Sequence, residues 1–123
     1  MARYSGTLGR WTRGETLTAA ASAARAVTGD SGWLSSDEFG SAVLALDVTA
    51  ASGTTPTLNV VVETASSNAG ANTRAVTGSP FAQKTTSGAE RKSFSGFDSF
   101  YRVGWTVGGT TPSFTFSVSG ESK

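Results

Sequence analysis

Histidine and cysteine are both missing from this chain of 123 residues, and their absence removes most side-chain chemistry at once. Without them the usual general base, the thiol nucleophile and the commonest metal ligands are gone. A Ser–His–Asp triad is impossible. A serine–lysine dyad needs one of three lysines (Lys84, Lys92, Lys123), and the adjacent pair Lys92–Ser93 would point to opposite faces of a strand. Two carboxylates could in principle hydrolyse a glycoside. Asp47 and Glu63 are the pair to weigh, and two solvated charges on an outer sheet face are the plainer reading. Asp37-Glu38 reads as a solvated turn. The acids are too scattered for a calcium loop, and Gly108-Gly109-Thr110-Thr111-Pro112 lacks the Gly-Lys-Ser/Thr that a phosphate loop requires. The chemistry therefore points to no catalytic residues, no metal and no cofactor, and the expected class is not an enzyme.

The elements are written more clearly than the chemistry. Gly53-Thr54-Thr55-Pro56-Thr57-Leu58-Asn59-Val60-Val61-Val62 recurs 56 residues later as Gly109-Thr110-Thr111-Pro112-Ser113-Phe114-Thr115-Phe116-Ser117-Val118. Each copy follows another strand-like stretch, residues 43–51 and 100–107. Two alternating runs around a Gly/Pro turn read as a hairpin, and two hairpins make the natural halves of a face-to-face packing. Serine and threonine supply 36 residues, glycine 15, and only 15% of residues are charged. Such a composition suits short strands with many turns. The expected fold is all-β: a two-sheet antiparallel β-sandwich, jelly-roll-like or immunoglobulin-like. One domain spans residues 16–123, and an extended N-terminal arm occupies residues 1–15. At this length a core can be buried without disulfides or metals.

In the first hairpin, residues 41–51 would pair with 57–64, placing Leu46 and Val48 on the side of Leu58, Val60 and Val62. Asp47, Val61 and Glu63 then share the other side. In the second, Phe114, Phe116 and Val118 would face the core across Thr106, Gly104 and Arg102. Tyr101, Val103, Trp105 and Val107 are thereby sent to an outer face, an apolar stripe that needs a cover. Either a bulge at Gly108-Gly109 shifts the register, or that face is covered by the N-terminal segment or another subunit. Covered, in-register pairing is the reading adopted. Residues 16–28 are ambiguous: their alanines favour helix and their threonines strand, with no apolar stripe of helical period. A strand with a bulge is preferred. Residues 65–80 read as a long polar loop, and residues 81–84 and 90–94 as a weaker hairpin.

Net charge is +1, which gives no electrostatic case for nucleic acid or an anionic membrane. No signal peptide and no continuous apolar span of roughly 18 residues is present. Residues 1–15 carry Arg3, Arg10 and Arg13 with no acid before Glu15, and Tyr4 and Trp11 stand among glycines. A frayed terminus is one reading. The other is an arm that docks on a neighbouring subunit, with Tyr4 and Trp11 as anchors and its arginines meeting carboxylates. The candidate interface residues are thus Arg3, Tyr4, Arg10, Trp11, Arg13, Tyr101, Val103 and Trp105. Were Trp105 and Tyr101 exposed, they could instead form a sugar-stacking platform.

The residues Leu44-Ala45-Leu46-Asp47-Val48-Thr49-Ala50-Ala51-Ser52-Gly53-Thr54-Thr55-Pro56-Thr57-Leu58 resemble a segment recurrent in small structural proteins of tailed bacteriophages. So do Phe94-Ser95-Gly96-Phe97 and the run from Tyr101-Arg102-Val103-Gly104-Trp105 through Gly109-Thr110-Thr111-Pro112 to Phe116. The resemblance covers roughly residues 16–120. It implies a β-sandwich virion component, and among those the expectation is a capsid decoration (cement) protein on the capsid surface, made in the host cytoplasm. Its expected partners are the major capsid protein and further copies of itself, with a trimer favoured. A tail-tube or tail-tip component bound to tail proteins is the alternative, and a carbohydrate-binding adhesion module the third. In place of the acidic, tryptophan-bearing stretch expected after the first hairpin, this chain has the neutral residues 65–73. Residues 1–15 lie outside the resemblance.

Overall fold

A computed structural model describes residues 16–36 and 40–123. Among them there is no helix. The strands are β1 (Thr16–Arg25), β2 (Gly29–Asp30), β3 (Leu34–Ser35), β4 (Ser41–Ala65), β5 (Arg74–Ala75), β6 (Gly88–Ser95) and β7 (Phe100–Ser122). All belong to one antiparallel sheet. The expected all-β antiparallel class is what the chain adopts, and residues 16–25 are indeed a bulged strand, with register shifts on either side of Ala20.

The four strands expected of the repeat all form, but they exchange partners. The stretches 41–51 and 57–64 do not fold back on one another. They run on as β4, 25 residues long, and the second copy runs on as β7, 23 residues long. The two pair antiparallel from Ala42↔Ser122 to Ala65↔Phe100. Both expected hairpins are therefore corrected: 41–52 pairs with 113–122, and 57–65 with 100–108.

The physical reason sits at the Gly-Thr-Thr-Pro segments. Each bends its strand without reversing it. Gly53 and Gly109 adopt φ of 112° and 111°, and Thr55 and Thr111 adopt 46° and 47°. The two corners meet across the ladder between Ser52↔Ser113 and Thr57↔Gly108. A Cβ on Gly53 would lie 2.7 Å from the Thr111 carbonyl oxygen, and one on Gly109 would lie 2.8 Å from that of Thr55. Each glycine thus makes room for the other corner's backbone, a local two-fold arrangement that a hairpin could not provide. The prolines fall where the ladder is already interrupted, so their missing N–H leaves no regular rung unfilled.

Beyond the corners the ribbon folds over on itself. Trp105 and Phe116 stand eleven residues apart along β7, about 36 Å in a straight strand, yet their ring centroids are 5.5 Å apart. Residues 41–52 with 113–122, flanked by β1 and β6, form one half. Residues 57–65 with 100–108, flanked by β2, β3 and β5, form the other. Their inward side chains make one core: Leu44, Leu46, Val48, Phe114, Phe116 and Val118 from the first half, and Leu58, Val60, Val62, Tyr101 and Val103 from the second. This face-to-face packing places two layers of a single hydrogen-bonded sheet against each other.

The weaker hairpin is also corrected. Residues 81–84 bond to β4 in the second half, through Phe81 N to Val60 O (3.0 Å) and Lys84 N to Leu58 O (2.9 Å). β6 pairs with β4 in the first half instead. The link crosses between layers, clamped by Lys84 Nζ on Glu90 Oε1 at 2.8 Å and by Phe81 edge-on to Phe94 at 5.2 Å.

Candidate functional site

Of the residues expected at an interface, Arg3, Tyr4, Arg10, Trp11 and Arg13 lie outside the described residues. Tyr101 and Val103 are buried in the chain's own core, and Trp105 and Val107 pack partly buried against it. The exposed apolar stripe therefore does not form. It was expected from hairpin pairing, which would have put residues 100–107 and 113–119 side by side in one layer with opposite faces inward. With the strand bent at its corner, each segment sits in its own layer and each turns its larger side chains towards the other. Gly104 is correspondingly opposite Val61 and Asp30, not Phe116.

Trp105 sits in a cluster built by Arg25, which the sequence reading passed over. β1 carries an extra residue against β7 between Ala20 and Ala23, and such a bulge frees backbone groups. Arg25 takes them up, donating to Ala21 O at 2.7 Å, Ala23 O at 3.1 Å and Phe116 O at 2.7 Å. Its guanidinium lies 4.4 Å from the Phe116 ring centroid and 4.8 Å from that of Trp105. Burial draws its pKa down from the ordinary arginine value. The Trp105 indole N–H donates to Val27 O at 3.2 Å. With one face under an arginine and an edge against Phe116, this ring is not a free stacking platform. The group ties the β1 edge to both layers. A lone arginine ending an alanine run was the only sequence signal for it.

A second cluster lies on the outer side of the second half. Arg102 Nε donates to Glu63 at 2.9 Å, its Nη1 lies 3.9 Å from Asp30, and its guanidinium covers Trp33 at 4.5 Å. Trp33 in turn abuts Gly70 of the 66–73 loop, which is closed by bonds from Ser66 N to Ala71 O and from Gly70 N to Ser67 O. Trp33 was also missed, since no spacing connects it to Arg102. Glu63 is occupied by arginine, while Asp47 sits across the corners on the other half's outer face, so the two carboxylates are not brought together as a catalytic pair.

The outer face of the first half has a different character. Alternation along β4 and β7 turns Val43, Ala45, Asp47, Ser117, Ser119 and Glu121 to this side, beside Arg91 and Ser93 of β6 and Thr16 and Thr18 of β1; Asp47 and Glu121 are exposed and the other four half-buried. This is a four-stranded face whose central side chains are small. Asp47 and Glu121 make no ion pair among the described residues. One cavity of about 370 Å³ opens at its end, lined by Ser41, Val43, Thr77, Ser93, Phe94 and Lys123 among others. Among the described residues no group of three or more acids could hold a metal ion.

Comparison of the chain with protein-family models, with curated proteins and with solved structures finds no match.

Proposed function

We propose that the chain is a non-enzymatic structural protein of a tailed-phage virion, set as a decoration protein on the outer capsid surface. There it binds the major capsid protein and further copies of itself. The observation that carries this reading is the build of the fold: a long ribbon bent at two mutually locked corners, flanked by β1, which has a strand partner on one side only among the described residues. A slab so braced offers broad faces that need not rearrange to be used. Its resemblance to phage structural proteins is strongest at the Gly-Thr-Thr-Pro segments, the residues that make the corners. Weak contacts by many such slabs on a repeating surface combine into firm attachment through multivalency.

Locating the chain in purified particles tests this. Density for many copies spread over the capsid supports the decoration role. A single ring of copies at the tail moves it to the alternative, and a chain absent from particles ends the proposal. Deleting residues 2–14 should leave a folded domain that no longer co-sediments with particles.

A further inference from the structure

We propose that the outer face of the first half is the seat for residues 1–15 of a second copy of this chain. This deepens the assembly reading by naming what the arm meets, and it requires no capsid to be observed.

Charge singles out this face. Residues 1–14 carry Arg3, Arg10 and Arg13 and no acid. Of the six acids among the described residues, four are engaged: Glu63 and Asp30 with Arg102, Glu90 with Lys84, and Asp98 with Arg74 at 3.6 Å. The two without such a partner, Asp47 and Glu121, are both exposed and both on this face, at rungs Asp47↔Ser117 and Val43↔Glu121. The β4 and β7 side chains between them are Val43, Ala45, Ser117 and Ser119, small enough for an extended backbone to lie close; Arg91 of β6, beside Ala45, borders this strip, where the two carboxylates outnumber it. The second half offers no equivalent, since its outer acids are already held by Arg102.

The path comes next. β1 begins at Thr16, opposite Glu121, at the end of the sheet where β4 starts and β7 finishes. Thr16 thus stands at one end of the face, and Asp47 lies four residues further in along β4. A chain entering β1 at Thr16 would have to double back to reach the same copy's Asp47. Fourteen residues can span up to about 45 Å, whereas the face measures about 25 Å along its strands and about 15 Å across them. The segment is long enough to cross a neighbour's face, and reciprocal exchange is the isologous arrangement of a two-fold pair.

The test is a charge swap read by sedimentation of the purified chain. The native chain should self-associate, and deletion of residues 2–14 should leave it monomeric. D47K/E121K alone and R10E/R13E alone should each weaken association by about tenfold or more at unchanged melting temperature, because both carboxylates are exposed and free of ion pairs. Mixing the two variants should restore association, since each arm then meets a face of opposite sign. A monomeric native chain, association that survives the deletion, or a mixture that stays dissociated would each overturn the proposal. The last outcome with both single variants altered would assign the arm to its own copy. None of these readouts involves a particle, so failure of the capsid reading is separately visible.

Discussion

The two halves of the folded ribbon are built from copies of one phrase, yet they are finished differently. Each contains a β4 stretch and a β7 stretch, and the two corners join one half to the other. The first half is flanked by strands of ten and eight residues, β1 and β6, and its outer face carries two exposed carboxylates that make no ion pair among the described residues. The second is flanked by two-residue strands and by loops closed through side chains. Thr64 Oγ1, for example, donates to Phe100 O at 2.7 Å and accepts from Asp98 N at 2.7 Å, and the Arg102 cluster pins the 30–33 turn. The lesson is that a repeated segment determines the ribbon and its corners, while residues outside the repeat decide which face stays open. The second half's outer acids are held by Arg102, while the first half's make no ion pair among the described residues.

Phe116 joins the halves, as it meets Trp105 from the second half while Arg25 of its own half covers both rings. Phe116→Ala should cost about 4 kcal/mol in denaturant unfolding. Trp105→Ala, at a partly exposed ring, should cost less; the reverse ranking would mean the layers are joined elsewhere. The corners come next. Gly53→Ala and Gly109→Ala each force a Cβ into the opposite backbone at a φ that L-residues avoid, and each should cost on the order of 3 kcal/mol. The comparison is sharp because the local symmetry requires the two losses to be nearly equal. A large difference would break the equivalence of the corners.

A smaller effect separates edge from interior. Arg25→Ala removes a side chain that satisfies three carbonyls and covers two rings, and should cost about 2 kcal/mol. Arg25→Lys should recover only part, since an ammonium lacks the planar fork that reaches Ala21, Ala23 and Phe116 together. Amide exchange should show the loss concentrated in β1 and the adjoining part of β7, leaving the second half protected. Faster exchange throughout would mean that β1 is not a separable flank.

What the sequence made legible follows the range of each interaction. Alternation is local, so strand positions and inward faces were readable: Leu44, Leu46, Val48, Leu58, Val60, Val62, Phe114, Phe116 and Val118 are all core, as their period-two pattern implies. Pairing is not local. Gly-Thr-Thr-Pro between two strands has every mark of a hairpin turn, and nothing nearby in the chain reveals that its glycine is shaped to receive a second copy 56 residues away. The misplaced stripe of Tyr101, Val103 and Trp105 was inherited from that pairing and not from any misreading of the residues. Arg25 and Trp33 were invisible for the same reason, because their partners Phe116 and Arg102 are brought near only by the long-range pairing of β1, β2 and β3 with β7. The open face was half legible: Asp47 was placed outward, but Glu121 joins it only through the long β4–β7 ladder.

The smallest expected effect tests the link between layers. Glu90 is about one-quarter exposed and accepts from both Lys84 Nζ and the Ala82 N–H at 2.9 Å. Desolvation works to raise its pKa, but these bonds and the nearby charges of Lys84 and Lys92 outweigh it and hold the carboxyl below the ordinary glutamate value. A carboxylate whose folded pKa is depressed contributes stability above its unfolded pKa, about 4.3, and loses it as pH falls through the folded value. Glu90→Gln should therefore cost about 1 kcal/mol at neutral pH. The difference from the native chain should begin to shrink as pH falls below about 4, and should vanish only when the folded carboxyl itself is protonated. A constant difference from pH 7 to pH 3 would show that the crossing between layers is held by Phe81 against Phe94 and not by the ion pair.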